Sequence, residues 1–272
     1  MNATEITFGI EIECTIPVEN APTVGGYHNG LQIAALPTGW NSQHDGSIRS
    51  RRGHVGIEIV SPILRGSDGI RQIKAVCEWL RQVGAKVDRS TGLHVHVGFD
   101  KGNRKALAKL VTVVANFEKA IFASTGTKSR EAGNYCRSIQ ASLVHQDMDL
   151  GRTGRYHVLN VASNHPTVEF RAFAGTLSFG KIVAHVRMCL GLVEKAFKVQ
   201  RLPKWQAKIV SETSPIHRNG EGMTALTRLF YWLGWTKGRE SFTFGVESEE
   251  GPAIATCKKT LTRLAKKYDA AV

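Results

Sequence analysis

Four short segments carry ionisable side chains where a strand would present them together. In FGIEIEC, the apolar Phe8, Ile10, Ile12 and Cys14 alternate with Glu11 and Glu13. A strand therefore puts both carboxylates on one face. GIEIVSP sets Ile57 and Ile59 against Glu58. GLHVHVGF sets Leu93, Val95 and Val97 against His94 and His96. TVEFRAF sets Val168, Phe170 and Ala172 against Glu169, Arg171 and Phe173. A solvated strand face also alternates, but it mixes Lys, Thr, Ser and Glu; at their centres these faces hold only Glu, His and Arg, in a chain rich in Lys. In one sheet, Glu11, Glu13, Glu58 and Glu169 would converge beside His94. Two carboxylates about 6 Å apart repel by roughly 3 kcal/mol at an effective dielectric of about 20. Such a set must take up protons or hold cations. Glutamate oxygens with one imidazole suit hard divalent ions, Mg²⁺ or Mn²⁺, whose open positions accept phosphate oxygens. Arg171, beside Glu169, is placed to neutralise a phosphoryl group in transfer.

The elements that must position these groups are legible from periodicity. Strands are predicted at roughly 6–15, 55–62, 92–99, 156–162 and 167–173. Helical spacing predicts helices over Ser67–Gly84, 103–123 and Ser178–Val199, a short one over Gly222–Trp235, and a last one from Pro252. The last would stack Ile254, Cys257, Leu261, Leu264 and Tyr268 along one seam. Glu118 and Glu194, on helices, read as solvated. Strands close in sequence near 156–173 favour an α+β fold, a mainly antiparallel sheet with helices packed on one face. Residues 1–200 form the catalytic domain in this reading, and 201–272 a helical extension packed on it.

With 272 residues, 42% of them apolar, the chain can bury a substantial core. No apolar run is long enough to cross a bilayer. MNATEITFGIEIE lacks a basic segment followed by an apolar core, so no secretory signal is expected and a cytoplasmic location is. Five cysteines form no CxxC pair, which fits buried, reduced thiols. A net charge of +13 favours an anionic partner, whether nucleic acid, nucleotide or acidic substrate. Basic clusters fall at Arg49, Arg51 and Arg52, at Lys195, Lys198, Arg201, Lys204 and Lys208, and on the C-terminal segment.

The ordered set GIEIE (9–13), HDGS (44–47), GIEIVSPIL (56–64), GLHVHVGF (92–99), NYCRS (134–138), and YHVLN followed by TVEFRAFAGTL (156–177) resembles the amidoligase branch of the glutamine synthetase and γ-glutamyl-cysteine ligase superfamily. The resemblance covers about residues 5–200. It implies a glutamine synthetase catalytic-domain-like sheet, curved and mainly antiparallel, with helices packed on its convex face and two or three Mg²⁺ ions around the phosphates of ATP on its concave face. It implies phosphorylation of a substrate carboxylate, followed by attack of an amine on the acyl phosphate to form an amide. By matching motifs, Glu11 and Glu13 resemble ligands of different metals, with Glu58, His94 and Glu169 as further ligands, and Arg171 resembles the arginine that contacts the transferred phosphate. Asp45 and Ser47 resemble a loop shaping the carboxylate or amine site. His96 and Arg137 resemble nucleotide, substrate or phosphate contacts. The loops 14–55 and 125–155 are where a cover shielding the acyl phosphate from water is expected.

Three other readings use the same residues. A metal-dependent nuclease or phosphoesterase would employ the Glu/His cluster, with the basic charge suiting nucleic acid. A single zinc or iron site on His94, His96 and Asp100 leaves the four glutamates unexplained. A non-catalytic nucleotide- or nucleic-acid-binding module is the third.

Overall fold

Alternation of β-branched and ionisable residues produces four long strands, β1 (Phe8–Pro17), β4 (His54–Val60), β5 (Gly92–Gly98) and β7 (Thr167–Ala174). The computed structural model describes residues 5–131, 133–139, 155–200, 215–218, 221–235 and 251–271. With β2 (Leu31–Gln32), β3 (Asn41–Gln43) and β6 (Leu159–Asn160), these strands make a seven-stranded sheet in the order β2-β3-β4-β1-β5-β7-β6. Every neighbouring pair is antiparallel. The four strands that carry the ionisable groups are thus consecutive in the middle of the sheet. Register does the rest: Glu13 lies opposite Glu58, Glu11 opposite His94, and His96 opposite Glu169.

One side chain departs from simple alternation. Leu93 pairs with Phe173 and Val95 with Phe170, so two steps along β5 match three along β7. The extra residue turns the end of β7 over. Phe173, expected on the polar face, is instead fully buried in the core and stacks on His185 with ring centroids 4.2 Å apart.

The helices are α1 (Gly66–Gln82), α2 (Arg104–Ala123), α3 (Phe179–Lys198), α4 (Ala225–Leu233) and α5 (Ile254–Ala270). The Asn103 side chain caps α2 by accepting from the Ala106 N–H at 3.0 Å, and Gly84, at φ 75°, lets the chain leave α1. Helix α4 is shorter than predicted because Glu221–Thr224 (β9) pairs with Pro215–Arg218 (β8). The predicted strand over 156–162 reduces to β6. Ahead of it, the backbone of Tyr156 and Val158 bonds to Arg137, at 2.7 and 2.9 Å. The helices cover the apolar face of the sheet and share its core. Helix α5 packs on α2 and α3 and buries the seam of Ile254, Cys257, Leu261, Leu264 and Tyr268.

Glu118 and Glu194 are not solvated: both are buried. Glu118 accepts the Ile139 N–H from a loop at 2.6 Å, and Glu194 pairs with Lys198, one turn on in its own helix, at 2.6 Å, so each carboxylate has a donor. All five cysteines are free and buried, and burial lifts the thiols of Cys14 and Cys77 to about 12. Among the described residues, no helix is long and apolar enough to cross a membrane. The basic residues Arg201, Lys204 and Lys208, and the part of the expected cover at 140–154, lie outside the described residues.

Candidate functional site

The sheet face away from the helices gathers Glu11, Glu13, Glu58, His94, His96, Glu169 and Arg171 into one cluster. His94 is its centre. Its Nδ1 lies 2.8 Å from Glu11, 3.5 Å from Glu169 and 4.0 Å from Glu58, while its Nε2 faces Glu13 at 3.4 Å. His96 Nε2 reaches Glu11 at 3.0 Å and stands 3.9 Å from Glu169. Arg171 binds Glu169 through Nη1 and donates from Nε to the Tyr135 carbonyl at 3.3 Å. Glu13, Glu58, His94 and Glu169 are each at most 5% exposed.

Outer partners fix the carboxylates. Gln43 donates to Glu58 at 2.6 Å, Asn160 to Glu169 at 2.7 Å, and the Gly92 N–H to Glu13 at 2.6 Å. Neither amide emerges from reading the sequence segment by segment. Each ends a short strand of its own, and only pairing with β4 or β7 brings it to a glutamate.

The electrostatics follow from this crowding. Burial alone would raise the Glu11 carboxyl, but the hydrogen bonds and charges of His94 and His96 outweigh it and hold Glu11 well below the usual carboxylate range. Glu58 goes the other way. Burial, then the negative charge of Glu11, pushes it up to about 9, against the opposing hydrogen bond from Gln43. Burial would lower the His96 imidazole, yet the bond and charge of Glu11 raise it.

Two triads have ligand atoms within 4.8 Å of one another: Glu11, His94 and Glu169, and Glu13, Glu58 and His94. Glu11 and Glu13 fall in different triads. His94 Nε2 is buried with no hydrogen-bond partner, the Glu13 carboxylate lying 3.4 Å away. An orphaned imidazole nitrogen amid oxygen donors, with one carboxyl driven to protonate, is the donor set of a hard divalent cation. The residues fit such an ion.

Two cavities open on the cluster. One, of about 230 Å³, is bounded by Glu13 and His94, by Asp45 and Ser47, by Arg130, Arg155 and Arg171, and by Tyr27, Tyr135 and Tyr156. The Asp45 side chain accepts the Ser47 N–H at 2.6 Å, which shapes the loop at its wall. The other, of about 300 Å³, runs along Gly9, Glu11, His96, Ser61 and Pro62. Arg137 joins neither: its side chain is exposed, and its backbone serves to pair with the segment before β6. Asp100 is likewise apart, accepting the Gly102 N–H of its own turn at 3.0 Å, so it forms no triad with the two histidines. No spacing in the sequence ties Arg130, Arg155 or Tyr27 to the strands, and Tyr135 and Tyr156 fall within the NYCRS and YHVLN segments with no pattern that singles them out.

Residues 4–153 match the family model described as "Putative amidoligase enzyme", more than half of the chain. Solved structures with a similar backbone include a bifunctional glutathione synthetase from Pasteurella multocida, at 11% identity and a TM-score of 0.48, over 97% of this chain and 48% of that one. Another is the ligase PafA in complex with the prokaryotic ubiquitin-like protein Pup, at 12% identity and a TM-score of 0.44, over 97% of this chain and 64% of that one. A third is GmaS without ligand, at 10% identity and a TM-score of 0.43, over 98% of this chain and 70% of that one. The chain spans about half the length of the first of these. No curated protein matches its sequence.

Proposed function

This chain belongs to the amidoligase family, and from that membership we propose that it is an ATP- and Mg²⁺-dependent carboxylate–amine ligase working through an acyl phosphate. The observation that carries the reading is the cluster around His94: four carboxylates and two imidazoles on one sheet face, a buried nitrogen without a partner, and a cavity on either side. Glu11 and Glu169 would hold one ion and Glu13 and Glu58 a second, with the single lone pair of the neutral His94 imidazole completing one of the two sets; Mn²⁺ satisfies the same donors. Ions held by these residues would neutralise phosphate charge and orient it for transfer.

The protein's own groups supply the rest. Arg171, locked by Glu169 and the Tyr135 carbonyl, presents a fixed guanidinium to the phosphoryl group leaving ATP. The substrate carboxylate attacks that phosphorus and ADP departs; the amine then attacks the acyl carbon, loses a proton, and expels phosphate. Asp45 and Ser47 border the cavity where acid and amine would meet, and the ring of Tyr27, Tyr135 and Tyr156 narrows its mouth, which limits hydrolysis of the acyl phosphate. The nucleotide is assigned to the Gly9–His96 side, where Pro62 and Ile63 offer apolar surface.

A family of amide-forming ligases favours this over phosphodiester hydrolysis, the other chemistry the cluster could run. The test is ADP and phosphate release with Mg²⁺ and ATP across pooled carboxylates crossed with pooled amines. Release that requires both acid and amine is expected. Phosphodiester cleavage without ATP, and no acid-dependent release, would replace the ligase by a hydrolase.

A further inference from the structure

The loop between β6 and β7 lends His165 and Pro166 to the lining of the 300 Å³ cavity, the space assigned to the nucleotide. Packing does not hold this loop in place: from Ala162 to Pro166 no residue is buried. A loop without buried side chains has low local stability and offers a ligand a poorly defined wall. Its order must come from hydrogen bonds.

Both ends are tied. Asn160 accepts the Ala162 N–H at 3.0 Å through Oδ1, while its amide nitrogen donates to Glu169 at 2.7 Å. At the other end the Phe99 N–H donates to the Pro166 carbonyl at 3.0 Å. Between these ends stands Lys101. Its Nζ donates to the His165 carbonyl at 2.8 Å and also to the Ser163 carbonyl. Among the described residues it forms no ion pair. A half-buried lysine ordinarily lays its stem on the protein and keeps its ammonium in water. This one aims the ammonium at two main-chain carbonyls of a single loop. Its own base is firm: Asp100 accepts the Gly102 N–H at 3.0 Å, the Asn103 N–H donates to the Asp100 carbonyl at 3.1 Å, and Asn103 caps α2.

We propose that Lys101 is a positioning residue for the nucleotide: from the turn ahead of α2 it grips the Ser163 and His165 carbonyls and holds His165 and Pro166 where they complete the cavity beside Glu11 and His96. The proposal rests on the assignment of ATP to this cavity. Lys101 itself does not line the cavity, so its action is indirect. It sets the fraction of molecules whose wall is formed, and apparent affinity scales with that fraction.

The test compares the full-length parent with Lys101→Met, which keeps a stem and removes the donors, and with Lys101→Arg, which supplies donors for both carbonyls. Amide exchange at the bonded N–H groups of Ala162, His165 and Thr167 is followed without ligand. Mg²⁺–ATP affinity is measured by titration calorimetry, and ADP release is timed at varied ATP with the pooled acids and amines. Lys101→Met should speed exchange in the loop, weaken Mg²⁺–ATP and raise KM for ATP by about tenfold each, and leave kcat within about twofold. Lys101→Arg should recover most of each change. Equal Mg²⁺–ATP affinity in parent and Lys101→Met overturns the proposal, and so does a loss that Lys101→Arg fails to recover or that falls on kcat instead of KM. Acid-dependent ADP release with unchanged affinity in Lys101→Met removes the positioning role and keeps the ligase. Weakened Mg²⁺–ATP binding in Lys101→Met, with no ADP release by the parent from any acid and amine, keeps the positioning role and counts against the ligase. A parent that binds no Mg²⁺–ATP removes both.

Discussion

At the scale of the residue, Glu58 separates structure from function most cleanly. Its carboxyl titrates at about 9, because burial and the charge of Glu11 resist ionisation, so without a cation it is neutral at pH 7. Glu58→Gln is then a nearly isosteric exchange of one neutral group for another. The metal-free melting temperature should stay where it is, whereas the rise caused by Mg²⁺ should be lost. Loading the cluster must also drive the Glu58 proton off. Calorimetry of Mg²⁺ binding in buffers of differing ionisation enthalpy should show proton release at pH 7 that is smaller by about one proton in Glu58→Gln. Arg171 poses a different question, since a lysine keeps its charge but not its planar fork. Arg171→Lys should lower kcat by about 10²-fold or more while ATP affinity changes little. An equal loss in both would make Arg171 a nucleotide anchor instead.

At the scale of the element, the bulge in β7 links the site to the helices. It lets Glu169 and Arg171 face the cluster while Phe173, only two residues on, enters the core and stacks on His185 of α3. His185 donates through Nε2 to the Ser124 carbonyl, 3.1 Å away, because a carbonyl oxygen only accepts and that nitrogen must carry the hydrogen. Burial drops its pKa to about 4. As pH falls below 6.5 the unfolded imidazole takes up a proton that the folded one refuses. Stability therefore declines between about 6.5 and 4, by up to about 3 kcal/mol for this residue. Urea unfolding across that window should show a shallower decline in His185→Gln than in the parent; equal slopes would assign the acid sensitivity to other groups.

At the scale of the whole molecule, the C-terminal helix is part of the same core as the sheet. Leu261 is fully buried where α5 meets the α2 and α3 layer. Leu261→Ala should cost about 2–5 kcal/mol of stability by urea titration. Tyr268 on α5 bonds Glu131, which also pairs with Lys119 of α2, and Glu131 is the neighbour of Arg130 at the site. The helix thereby braces the segment that carries the buried arginine.

The strand faces, the long helices and the set of Glu11, Glu13, Glu58, His94 and Glu169 could be read from the sequence, because side-chain alternation is local and a period of two or 3.6 declares which residues share a face. Sequence order also carried the family resemblance. What no local pattern contains is which strands are neighbours and in what register. That pairing set His94 between four carboxylates, brought Gln43 and Asn160 to two of them, and inserted the residue that sent Phe173 into the core. Burial of Glu118 belongs to the same class, since its carboxylate is accepted inside where a distant segment supplies the Ile139 N–H. Arg130 and the tyrosine rim reach the site from loops, whose positions follow from tertiary packing and not from any period in the chain.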